Sequence, residues 1–134
     1  MRLTGTTVLL VEDDLDNLEL LAICLESEGA HVLQAASVAS ALALSMTPRI
    51  DILISDLELP DGDGSNLLGQ LRSREGWARL PAIAVSGYSQ AQWRARATTS
   101  GFNHYAIKPF SIDSLVSAII VLKDGGGGDQ DAML

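Results

Sequence analysis

The chain is predicted to be an α/β protein: a doubly wound parallel sheet of five strands with five helices packed on its two faces. Three observations predict this. Short apolar runs alternate with longer stretches of helical periodicity, the pattern of repeated strand–helix–strand units. The short runs are apolar at every position rather than at alternate ones, as strands covered on both faces require. The 134 residues are 47% hydrophobic, enough for one domain with a real core.

The elements follow in order. The first strand is Val8 to Val11. The first helix runs from Leu15 to Glu28, with Leu18, Leu21, Ala22 and Leu25 at helical spacing. Gly29 stands where a helix-ending glycine is expected. His31 to Ala35 is the second strand. Ser37 caps a second helix with Val38, Ala41 and Leu42 on one face, and Pro48 closes that region. Ile52 to Ser55 is the third strand, and the Asp, Gly and Pro content of Leu57 to Gly64 marks a loop. The third helix, Ser65 to Arg74, turns Leu67, Leu68 and Leu71 inward. Pro81 precedes the fourth strand, Ala82 to Val85. The fourth helix, Gln90 to Thr99, has the weakest periodicity and ends at Gly101. His104 to Ile107 is the fifth strand. The fifth helix, Ile112 to Lys123, packs through Leu115, Val116, Ile119 and Ile120. Residues 1–124 form the expected domain. Residues 125–134 open on four glycines and read either as a linker or as a plain disordered tail.

Composition narrows the function. A formal charge of −8 argues against a nucleic-acid surface, which needs Lys and Arg to meet phosphates. No apolar stretch reaches the roughly 18 residues of a membrane span. Met1 to Thr6 leads straight into a strand, so no signal peptide is expected. The single cysteine, Cys24, lies in an apolar helical stretch and reads as a buried, inert thiol. The cytoplasm is the expected location. His31 and His104 are expected at the surface or at strand ends, too far apart for a histidine metal site.

In sheets of this kind ligands bind beyond the carboxyl ends of the strands. The first strand delivers Glu12 and Asp13 there, the third Asp56, the fourth Ser86 followed by Gly87, and the fifth Lys108 followed by Pro109. Taken singly, each has an ordinary reading: Asp56 as a turn former, Ser86 as a turn serine, Lys108 as a solvated lysine, Tyr105 as an edge aromatic. Asp61 and Asp63 with their glycines look like half a calcium loop, but the later ligands are missing, so they read as loop formers. As a set, three acids, a hydroxyl and an ammonium at one rim are specific. Crowded carboxylates favour a divalent cation, and an open rim with few carboxylates suits Mg²⁺. An aspartate carboxylate is a competent nucleophile for an acyl phosphate.

The stretches Val8-Leu9-Leu10-Val11-Glu12-Asp13-Asp14, Leu53-Ile54-Ser55-Asp56-Leu57-Glu58-Leu59-Pro60-Asp61-Gly62, Ala84-Val85-Ser86-Gly87 and Tyr105-Ala106-Ile107-Lys108-Pro109-Phe110 resemble the receiver domain of response regulators in two-component signalling. The likeness covers roughly Thr7 to Leu122. It implies a flavodoxin-like strand order, 2-1-3-4-5. It implies Asp56 as phospho-acceptor, with Glu12, Asp13, Asp56 and the backbone carbonyl of Glu58 around Mg²⁺. It also implies Ser86 as the switch hydroxyl, Tyr105 as the switch aromatic and Lys108 as the phosphoryl-binding lysine. The phosphoryl donor would be a histidine kinase or a histidine phosphotransfer protein. The output would be a changed face of fourth helix, fifth strand and fifth helix that binds a partner or a second copy; neither nucleic acid nor membrane is an expected partner. On this reading the chain is a signalling module rather than an enzyme, acting alone or as the receiver of a hybrid kinase. Two positions depart from the family's commonest pattern: Glu12 stands where aspartate is common, and Ser86 where threonine is frequent. Tyr88 and Glu58 would flank the phosphoryl group. Arg94 and Arg96 are candidate partner contacts, while Trp77 and Trp93 have no catalytic partner.

A phosphatase of the haloacid dehalogenase type uses similar groups, but places its nucleophile on the first strand and its acidic pair last. Here the pair comes first. A nucleotide-binding domain would need a glycine-rich loop after the first strand, where Glu12-Asp13-Asp14 stands. A receiver that drains phosphoryl groups without an output stays open within the leading class.

Overall fold

A computed structural model describes residues 1–46, 49–86 and 101–125. Pro48, Gly87, Tyr88, the expected fourth helix with Trp93, Arg94 and Arg96, and the tail from residue 126 lie outside the described residues.

Five parallel strands form the sheet: β1 (Thr7–Val11), β2 (His31–Ala35), β3 (Ile52–Asp56), β6 (Ala82–Ser86) and β7 (His104–Ile107), in spatial order β2-β1-β3-β6-β7. In a count of five this is the expected 2-1-3-4-5. Four helices lie among the described residues: α1 (Leu15–Glu26), α2 (Val38–Leu44), α3 (Gly64–Arg72) and α4 (Ile112–Gly125), the last being the fifth of the sequence reading. Between β3 and α3 the expected loop contains a two-residue ladder, β4 (Glu58–Leu59) against β5 (Gly62–Asp63), antiparallel.

Alternation of side chains across each strand explains the two cores. Leu9, Val11, Leu53, Ala82 and Ala84 meet Val38 and Ala41 of α2 and Leu67, Leu68 and Leu71 of α3 on one face. Val8, Leu10, Ile52, Ile54, Ile83 and Val85 meet Leu18, Ala22 and Leu25 of α1 and Leu115, Val116, Ile119 and Leu122 of α4 on the other. Every residue of β3 and β6 is buried, which is why their sequences lack polar alternation. Burying each leucine of α3 contributes roughly 1.5–3 kcal/mol.

Local chemistry sets the ends. Ser37 and Ser40 form a reciprocal capping box on α2. Gly29 turns the chain after α1 at φ +94°. His104 opens β7, the strand end expected of it, and is buried there opposite Ile83. One reading needs correction. Cys24 is half-buried, on the rim of a groove between α1 and the Pro109–Ile112 segment. Among the described residues no helix is long and apolar enough to cross a membrane.

Candidate functional site

The carboxyl ends of β1, β3 and β6 and the residue after β7 surround an open cleft of about 250 Å³. Glu12, Asp13, Asp56, Glu58, Ser86 and Lys108 all line it, with Asp14, Asn17, Leu57 and Val85. Each is held by its strand. Glu12 donates its backbone N–H to Ala35 O of β2 at 3.0 Å, so the first acid is an extension of the sheet. Asp56 is the last residue of β3 and sits opposite Val85. Lys108 donates its N–H to Ser86 O at 2.7 Å, tying the lysine to the end of β6. Asp14 is used structurally: its side chain accepts the Asp16 and Asn17 N–H groups and starts α1.

One carboxylate oxygen each from Glu12, Asp13 and Asp56 lies within 4.8 Å of the other two. Glu12 and Asp56 are buried, at 3% and 8% exposure, while Asp13 faces solvent. The Lys108 ammonium donates to Glu12 Oε1 at 2.5 Å and to Asp56 Oδ1 at 3.4 Å. One ammonium therefore faces two buried carboxylates, with a third at the rim. Glu12 Oε2 has no hydrogen-bond partner among the described residues. A buried charge left this way is costly unless something else meets it. An unpartnered buried carboxylate oxygen beside two further acids fits a hard cation that takes oxygen ligands.

The loop beneath the cleft is tightly built. The Ser55 hydroxyl, buried within the strand, donates to Asp56 O at 2.8 Å. Gly64 donates its N–H to Leu57 O at 2.9 Å. Its α-carbon comes so near the strand that a Cβ there would stand 2.3 Å from Asp56 O. Asp63 caps α3 by accepting the Asn66 N–H at 2.7 Å. Asp61 accepts the Val38 and Ala39 N–H groups. Those bonds, Ala39's before Val38's, hold its carboxyl below the usual carboxylate range. Sequence reading took Asp61 and Asp63 as loop formers and passed over Ser55, Gly64 and Asn17. The Asp-Gly-Asp-Gly run was the available signal for the first two and for Gly64; Ser55 and Asn17 left none.

Tyr105 is 2% exposed and belongs to the core cluster that includes α2 and α3; its hydroxyl meets no partner among the described residues. Ser86 itself is 4% exposed. Glu58 is exposed and lines the cleft.

An open five-stranded parallel sheet with acids, a hydroxyl and a lysine at the carboxyl edge is the arrangement that the receiver-domain resemblance implies. A sequence model described as the response regulator receiver domain matches residues 8–120, and the chain belongs to that family. An uncharacterized 14.6 kDa protein in the sodA1 3' region of Leptolyngbya boryana is 40% identical over 102 residues, covering 76% of this chain and 78% of that protein. The KDP operon transcriptional regulatory protein KdpE of Escherichia coli (strain K12) is 34% identical over 116 residues, covering 87% of this chain and 50% of that one, so the chain spans about half the length of this relative. Among solved structures, the receiver domain of a Francisella response regulator superposes with a TM-score of 0.80 at 28% identity, covering 90% of this chain and 98% of that one.

Proposed function

We propose that this chain is a phosphorelay receiver that takes a phosphoryl group onto Asp56 from a histidine kinase or a histidine phosphotransfer protein. The single observation that carries the reading is the convergence of Glu12, Asp13 and Asp56 carboxylates within 4.8 Å, with the Lys108 ammonium against two of them. In the transfer, an Asp56 carboxylate oxygen forms a bond to phosphorus as the phosphorus–nitrogen bond of the donor imidazole breaks. The bonding pair leaves with the imidazole nitrogen. Little covalent help is needed; alignment and charge compensation dominate. Burial of Asp56 at the end of a rigid strand supplies the alignment. Lys108 compensates the incoming charge once it releases Glu12, and Ser86 offers a hydroxyl to a phosphoryl oxygen.

Glu12, Asp13, Asp56 and the Glu58 carbonyl are the groups proposed to hold Mg²⁺. The bound ion would supply a counter-charge for the phosphoryl oxygens. Ser86 and Tyr105 form the proposed switch. Because Tyr105 already lies inside, its response is a repacking within the core rather than an entry from solvent. The affected face is the fourth helix of the sequence reading with β7 and α4, where a partner or a second copy would dock. Residues 1–124 are read as the receiver unit and 125–134 as tail or linker. The proposed role is signalling rather than turnover, in a cytoplasmic setting. The haloacid dehalogenase reading has no observation in its favour.

The test is direct. Incubated with acetyl phosphate and Mg²⁺, the protein gains the mass of one phosphoryl group, and Asp56→Asn gains none. Equal labelling of that variant removes the assignment.

A further inference from the structure

The loop from Leu57 to Gly64 carries Glu58 to the cleft, yet its own secondary structure is two residues paired with two. A ladder that short has no independent stability. Something outside the loop must hold it. At its base, Gly64 closes onto Leu57 O and the Asp56 backbone. At its tip, the contacts run to another element altogether. Asp61 Oδ1 accepts the Val38 N–H at 2.8 Å, and Oδ2 accepts the Ala39 N–H at 3.0 Å. Beside it, a Cβ on Gly62 would stand 3.3 Å from Val38 Cγ2, and Leu59 is buried in the same cluster as Val38.

The partners of Asp61 are first-turn N–H groups of α2, which have no acceptor inside the helix. That helix has its own local cap, since Ser37 Oγ accepts the Ser40 N–H at 3.1 Å and Ser40 Oγ accepts the Ser37 N–H at 3.2 Å. Asp61 therefore does not replace a missing cap. It takes the two N–H groups that the capping box leaves over, from 22 and 23 residues away. A carboxylate there is also favoured by the helix dipole. The result is a two-pronged tie between the loop tip and a helix packed on the sheet.

We propose that Asp61 is a positioning residue of the phosphoryl-acceptor site: its grip on Val38 and Ala39 fixes the loop that presents Glu58 to the cleft. The inference rests on the proposed function. Functional groups must be held to about 0.5 Å, and a surface loop reaches that only when it is tied down.

The test compares three variants by Mg²⁺ titration calorimetry, by the rate of phosphorylation from acetyl phosphate, and by thermal unfolding. Asp61→Ala is expected to weaken Mg²⁺ binding about tenfold, the usual cost of losing a supporting residue behind a metal site. Its phosphorylation rate falls at low Mg²⁺ and recovers as Mg²⁺ is raised. Asp61→Asn, which keeps one acceptor oxygen, lies between it and the wild type. Ser37→Ala weakens the same helix without touching the loop, and it lowers the melting temperature while leaving Mg²⁺ affinity unchanged. If Asp61→Ala keeps wild-type affinity, or if Ser37→Ala loses as much affinity as Asp61→Ala, the positioning role is overturned while the receiver reading stands. A wild-type chain that takes up neither Mg²⁺ nor a phosphoryl group overturns both.

Discussion

The two edges of the sheet treat buried polar groups in opposite ways. At the amino ends of the strands a network around Arg72, Asn103 and Asp51 satisfies the backbone. The Arg72 guanidinium donates to Leu80 O through Nε at 3.1 Å and Nη2 at 2.8 Å, to Gly101 O at 2.7 Å and to Asn103 Oδ1 at 3.1 Å. Asn103 Oδ1 also accepts the Ala82 N–H, and Asp51 accepts the Thr7 N–H. At the carboxyl ends, Glu12 and Asp56 share one ammonium with Asp13 close by, and Glu12 Oε2 is left over. The first edge is arranged for stability. The second leaves charge unmatched, as the proposed receipt of a cation and a phosphoryl group would require.

Three experiments break or sharpen that contrast. Arg72→Ala removes the donor from carbonyls before both β6 and β7, and it is expected to lower unfolding free energy by about 3 kcal/mol. Phosphoryl uptake at saturating Mg²⁺ stays at the wild-type level, as urea titration paired with intact mass would read. A large loss of uptake would mean that the edges are not separable. Asp13→Asn acts oppositely. Relieving repulsion in the cleft is expected to raise stability by about 1 kcal/mol in metal-free buffer, while the extra stability conferred by Mg²⁺ shrinks. A destabilised variant would contradict the picture of unmatched charge. The smallest effect belongs to Glu28. Its hydrogen bonds from Arg2 hold its carboxyl at about 2, below the ordinary 4.5. A lowered value means that the pair's contribution is complete above the ordinary value and fades as pH falls through the folded one. In Arg2→Ala, an NMR titration of Glu28 should return toward the ordinary carboxylate range, with little change in unfolding at neutral pH.

The strands were legible because burial on both faces leaves continuous apolar runs, and Leu67, Leu68 and Leu71 were legible because a helix repeats its inward face. The rim residues were legible because strand ends in such a sheet share one edge. Other features had no local signal. Two-residue strands such as Glu58–Leu59 carry no period to detect. The reach of Asp61 to Val38 exists only after the chain has folded. Nothing local marks His104 and Tyr105 as buried, although β7 is the outermost strand of the sheet. Arg72 resembles any basic residue in a last helical turn until the carbonyls of Leu80 and Gly101 come round to it.

Position 64 carries a final consequence. Where the chain leaves β3 and doubles back, a single hydrogen is all that fits against the Asp56 carbonyl. Alanine, the smallest possible enlargement, would have to push aside main chain rather than a yielding side chain, and the main chain it would push is that of the proposed acceptor. The chemistry proposed for the top of the sheet is therefore gauged by a residue that contributes no functional group to it.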